Sequence, residues 1–98
     1  KQILDGTSHL IFYVSNKRHN LIKDILKSGA DINFQDKLGR TALMNAIERS
    51  NFNAVSILVG NKFDEEITDY SGEDVISYFK SSKDVRIKGL VDSLNPVD

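Results

Sequence analysis

Ninety-eight residues, 40% of them hydrophobic, suffice for one small domain with a core of its own. The 13 basic and 14 acidic side chains leave a net charge of −1, which supplies no basic stripe of the kind nucleic-acid binders carry. Cysteine is absent, so disulfides, thiolate chemistry and cysteine-ligated zinc are excluded, and the longest apolar runs, Leu10 to Val14 and Val55 to Val59, the second interrupted by Ser56, are too short to span a membrane.

The first helix-forming stretch follows Gly6, with Ser8 as candidate N-cap and Leu10, Ile11, Tyr13 and Val14 as its apolar positions. Asn16-Lys17-Arg18 breaks it. Leu21, Ile22, Ile25 and Leu26 then form the stripe of a second helix, and Ser28-Gly29-Ala30-Asp31-Ile32-Asn33 leads out of it into an extended finger. The next stretch opens on a turn, Asp36-Lys37-Leu38-Gly39, in which glycine supplies a positive φ. Thr41 is the N-cap of a helix carrying Leu43, Ala46 and Ile47. Asn51 interrupts, and a helix beginning at Phe52 or Asn53 carries Ala54, Val55, Leu58 and Val59 and stops at Gly60-Asn61. The last stretch has Gly72, a cap at Asp74, an apolar set of Val75, Ile76, Tyr78 and Phe79, and a final helix from about Asp84 with Val85, Ile87, Leu90 and Val91.

These stretches are copies of one another. Gly6, Gly39 and Gly72 lie 33 residues apart, as do Leu10, Leu43 and Ile76, and Ile25, Leu58 and Val91. A fixed period of this size predicts an all-α solenoid of three stacked helix-turn-helix units, approximately 3–35, 36–68 and 69–95, forming a single domain over 1–98. Each unit buries its apolar face only against its neighbours. In the last unit Lys88 and Asp92 replace Val55 and Val59, so that unit reads as a C-terminal cap with a polar outer flank.

Residues 21–33 and Asp36-x-x-Gly39-x-Thr41-Ala42-Leu43 resemble the second helix, the Gly-Ala-Asp-x-Asn turn and the Asp-x-x-Gly-x-Thr-Pro-Leu start of ankyrin repeats. The similarity covers nearly the whole chain and is weakest in the third unit. Departures include Met44 in place of the histidine that ties the family's hairpin loop, Lys62-Phe63-Asp64 in place of Gly-Ala-Asp, and Tyr13 and Phe79 where a small alanine is usual. The resemblance implies antiparallel helix pairs with short β-hairpin fingers. It also implies a non-catalytic protein–protein interaction module that needs no cofactor or metal and binds a protein partner through the fingertips and first helices. Carried over by position, that surface comprises Gln35, Lys37, Leu38, Arg40, Glu48 and Arg49 in the middle unit. In the last unit it comprises Thr68, Tyr70, Ser71, Glu73, Ser81 and Ser82, and in the first Asp5, Thr7, Ser15 and Asn16. No nucleic acid or membrane is expected as partner, and the expected state is a monomer. The alternatives are a dedicated inhibitor, such as a bacterial immunity protein that blocks a toxin, a fragment of a larger multidomain effector, and a structural cap of a longer array.

Single groups have competing readings. Leu38 and Tyr70 on the finger turns are either anchors for a partner or packing against the adjacent finger. Asp64, Glu65, Glu66 and Asp69 are a solvated acidic loop, an attraction for a basic partner, or ligands for a hard cation, although the spacing lacks the bend of a calcium loop. His9 and His19 lack the convergent partners that metal binding or catalysis requires. Lys17-Arg18-His19 is a short basic patch that reads as a solvated turn. Phe12, whose counterpart Asn45 one period later reads as lying on the exposed side of its helix, makes the first helix apolar all round, which predicts a cover from residues 2–4, from an upstream repeat or from a partner. The chain opens on Lys1 and not on methionine, so it is read as a processed product or an excised segment. A removed signal peptide would leave no trace, and the expected location is the cytoplasm with export left open.

Overall fold

The computed structural model describes residues 6–91. Six helices follow in order, α1 (Gly6–Ser15), α2 (His19–Lys27), α3 (Ala42–Glu48), α4 (Phe52–Val59), α5 (Val75–Ser81) and α6 (Val85–Gly89). Successive helices pair as α1–α2, α3–α4 and α5–α6. The odd-numbered helices stack into one layer and the even-numbered ones into a second. Residues 1–5 and 92–98 lie outside the described range, and with them Asp5, Asp92 and the expected cover from residues 2–4.

Capping chemistry sets most helix starts. Thr41 accepts from the Met44 amide at 3.3 Å, Asn51 from Ala54 at 3.3 Å, Asp74 from Ser77 at 2.9 Å and Asp84 from Arg86 at 2.9 Å. Ser8 does not cap α1, which begins at Gly6 and contains it. The turn from first to second helix is closed by the Schellman pattern in units one and two. Arg18 N–H reaches Tyr13 O at 2.9 Å, and Asn51 N–H reaches Ala46 O at 3.0 Å. That closure needs a left-handed residue, and non-glycine residues hold it: Lys17 at φ 57° and Ser50 at φ 55°. Gly29, at φ 97°, closes α2 in the same way. At the end of α4 the glycine has shifted register. Gly60 keeps a right-handed φ of −77°, and a tighter turn together with the Asn61 amide satisfies the last carbonyls.

The core is one cluster built from Leu10, Val14, Ile22, Leu43, Ala46, Ile47, Ala54, Val55, Leu58, Phe79 and Ile87, among others. α3 is buried from Ala42 to Ile47 because it touches α1, α4 and α5 at once. Two expected stripe positions are not core. Val85 is 79% exposed and Leu21 is 39% exposed, since Ile87, two residues after Val85, and Ile22, one residue after Leu21, face inward on these short helices. On α6, Lys88 is exposed, one period after buried Val55.

The fingers project from the stack as tight turns, and one isolated antiparallel bridge, Thr68 with Asp74, stands where paired strands were expected among the described residues. Asp36 Oδ1 accepts from the Leu38 and Arg40 amides, both at 2.9 Å, so a side chain holds the finger turn from within. Asp69 repeats the arrangement with Ser71 and Glu73.

Candidate partner-binding face

Both finger turns are held from beneath as well as within. The second carboxylate oxygen of Asp36 accepts from the Asn45 amide at 3.2 Å, and that of Asp69 accepts from the Tyr78 hydroxyl at 2.6 Å. Asn45 and Tyr78 are repeat equivalents on the first helices. They do the work expected of the absent histidine. Asn45 is therefore buried and not exposed, because its amide is drawn under the finger by Asp36 and by the Thr41 carbonyl at 3.0 Å. The hydrogen bond from Tyr78 is the main cause that holds the Asp69 carboxyl below its ordinary value. Burial, followed by the same bond, pushes the Tyr78 phenol above its usual range.

Adjacent fingers are locked together. Gln35 Nε2 donates at 2.9 Å to the Gly39 carbonyl and at 2.9 Å to the Thr68 carbonyl. Tyr70 N–H donates to Leu38 O at 3.0 Å, and the Tyr70 ring lies over Gly39. A Cβ on Gly39 would come within 2.5 Å of that ring, so glycine is required there for space as well as for its φ of 80°. Even so, Leu38 remains 60% exposed and Tyr70 73% exposed. The two readings of these residues thus coexist: the tyrosine packs on the neighbouring finger and still presents most of its surface to solvent.

Two depressions open on this side. One lies at the fingertips and is lined by Leu38, Arg40, Asp69, Tyr70, Ser71 and Tyr78. The other, a groove of about 590 Å³ between α3 and α5, is lined by Ile47, Glu48, Ser50, Glu73, Ser77, Tyr78, Ser81, Ser82 and Lys83. Tyr78 lines both and joins them into one surface. Arg40 lies half-buried, donates to the Tyr78 hydroxyl at 3.4 Å and pairs with Glu48. The structure therefore brings Leu38, Arg40, Glu48, Tyr70, Ser71, Glu73, Ser81 and Ser82 onto this surface. Gln35 is spent on the finger lock. Lys37 and Thr68 are exposed on the fingers and Arg49 at the end of α3, but none of the three lines either depression. Ser15 is half-buried, exposed Asn16 donates to the Phe12 carbonyl at 2.9 Å, and the Thr7 side chain is outside the described set. Sequence reasoning placed Tyr78 with the core. Its position one period after Asn45 was the available signal.

The remaining candidates lie away from these depressions. His19 Nε2 lies 3.0 Å from Asn51 Oδ1, and Asn51 Nδ2 donates to Val14 O at 3.1 Å, a knot that ties unit one to unit two. Asp64 accepts from the Glu66 amide within its own loop at 2.9 Å, and its N–H reaches Asn33 Oδ1 at 2.8 Å. Phe12 is 57% exposed on α1, edge-on to Tyr13, on which His9 stacks. Among the described residues no group of His, Asp and Glu side chains is arranged to hold a metal ion, and no helix is long and apolar enough to cross a membrane.

A stack of helix pairs whose turns and inner helices make one open, preorganised surface is a repeat scaffold for recognition. A family profile described as ankyrin repeats, three copies, matches residues 10–82, and the chain belongs to the ankyrin repeat family. It is 38% identical over 61 residues to mouse ankyrin repeat domain-containing protein 63, covering 62% of this chain and 16% of that protein. The human protein of the same name is 36% identical over 61 residues, with the same coverage. Putative ankyrin repeat protein R664 of Acanthamoeba polyphaga mimivirus is 32% identical over 71 residues, 72% of this chain and 44% of that one. The chain thus spans between 16% and 44% of the length of these relatives. Ankyrin repeats generally mediate protein–protein interaction, and the family is typically non-catalytic.

Proposed function

We propose that this chain is a protein-interaction module that grips its partner across the second and third fingertips and the groove between α3 and α5. One observation carries the reading. Leu38 and Tyr70 stand side by side on adjacent fingers, 60% and 73% exposed, on a backbone fixed by the Gln35 bridge and the Leu38–Tyr70 hydrogen bond. Exposed apolar groups on a rigid support lose little conformational entropy on binding, which is what an interface anchor requires. The near-neutral net charge of −1 favours a protein partner over nucleic acid.

The test uses a partner captured from the source cells on immobilised wild-type protein and then purified. Truncating Tyr70 or Leu38 to alanine is expected to weaken that complex by at least about 1 kcal/mol in calorimetry, with thermal melts of the free protein nearly unchanged. Undiminished affinity in the double variant would move the binding site elsewhere, first to Phe12 on α1.

A further inference from the structure

The finger turns of units two and three are copies in their backbone hydrogen bonds, with Asp36 and Asp69 each accepting two amides at 2.9 Å. Their charges are not copies. In unit two Arg40 lies along α3 and pairs with Glu48, so cation and anion meet inside the chain. One period later Glu73 stands where Arg40 stood, and Ser81 where Glu48 stood. Unit three thus has an acid in place of the base and a serine in place of the acid. The Glu73 carboxylate makes no hydrogen bond or ion pair among the described residues, and Glu73 lines the groove of about 590 Å³. Glu48, which pairs with Arg40, lines the same groove together with Ser77, Ser81 and Tyr78. Lys83 lines it too, but the seven residues of α5 lie between Lys83 and Glu73, roughly 10 Å of helix, too far for a contact pair.

We propose that this groove receives an arginine side chain of the protein partner, an inference that rests on the reading of this face as the binding face. The partner's guanidinium would supply to unit three the cation that Arg40 supplies to unit two. Arginine fits better than lysine for three reasons. Its planar fork carries five donors, which matches a wall of carboxylates and hydroxyls. It binds a carboxylate through two parallel hydrogen bonds. It also sheds water more readily and stacks on an aromatic face such as that of Tyr78. The approach is favourable as well, because residues 64–74 carry six carboxylates and no lysine or arginine. An apolar residue of the partner next to the arginine would meet Leu38 and Tyr70.

The experiment is an NMR amide-shift titration of the full chain with three synthetic peptides. The first has leucine, two alanines and arginine in sequence, and in the others citrulline or glutamate replaces the arginine. The arginine peptide is expected to shift the Glu73, Ser77, Tyr78 and Ser81 amides and to bind at least about tenfold more tightly than the citrulline peptide. Glu73→Gln should abolish that preference. Asp24→Asn, an equal change of charge on α2, should leave it intact. Equal affinity for arginine and citrulline, or equal loss from the two variants, would overturn the assignment. If the citrulline and glutamate peptides moved the same fingertip amides as strongly, the face would still bind protein and only the arginine assignment would fall. If none of the three perturbed that face, both readings would fall together.

Discussion

Replacing Asn51 with alanine is expected to destabilise the fold by about 2–3 kcal/mol, although the residue belongs to no catalytic or binding site. Asn51 is buried and makes three side-chain bonds. Its oxygen caps α4 through the Ala54 amide, and loss of an N-cap costs about 1 kcal/mol. Its amide donates to Val14 O at 3.1 Å, a carbonyl left with only a 3.3 Å bond from Lys17, so removal adds about 1 kcal/mol. Its contact with His19 adds a few tenths of a kcal/mol, because the half-buried imidazole can turn to water. Against the roughly 5–15 kcal/mol that holds a domain of this size, that is a large fraction, and the melting temperature should fall by about 8–20 °C. Urea unfolding followed by far-UV circular dichroism measures it. Asn51→Ser keeps a capping oxygen and loses the amide donor to Val14, so it should cost about half as much. If both variants stayed within about 0.5 kcal/mol of wild type, the knot would not be what fastens unit one to unit two.

Leu43→Ala and Leu58→Ala empty fully buried positions at the centre of the stack, and each should cost about 2–5 kcal/mol in the same melts. Gly39→Ala should cost clearly more than Gly72→Ala. Both glycines have positive φ, but a methyl on Gly39 meets the Tyr70 ring whereas one on Gly72 meets nothing within 4 Å, so the difference measures the finger packing. Hydrogen bonds from Arg86 hold the Asp84 carboxyl down to about 2 against an ordinary 3.8. A depressed folded value means that its contribution is complete above pH 3.8 and is lost as pH falls toward 2. Carboxyl-detected NMR titration should show Asp84 near 2, and Arg86→Met should return it toward 3.8.

Much of the fold was legible because a solenoid is a local structure. Contacts run between neighbouring units, so the 33-residue period carries the tertiary arrangement directly. Capping is equally local, and Thr41, Asn51 and Asp74 mark helix starts because their side chains reach amides only three residues on. The fingertip surface came from the resemblance to ankyrin repeats, and the register of the repeat places Leu38, Arg40, Tyr70 and Glu73 on neighbouring finger turns.

What the one-dimensional pattern did not contain was the fate of each polar group once units touched. Asn45 looked like a surface amide and is buried, because the Asp36 carboxylate lies above it. Gln35 looked available and is spent bridging two carbonyls, one of them 33 residues away. Tyr78 looked like core, yet its hydroxyl holds Asp69 while the residue lines both depressions. Arg40 pairs with Glu48, whereas its repeat equivalent Glu73 has no ion pair among the described residues. Apolar periodicity determines which helices form and how they stack, since burial is additive and without direction. Hydrogen bonds and ion pairs require particular atoms within about 3–4 Å at the right angle, so only the tertiary structure decided which polar side chains hold the scaffold and which remain for a partner.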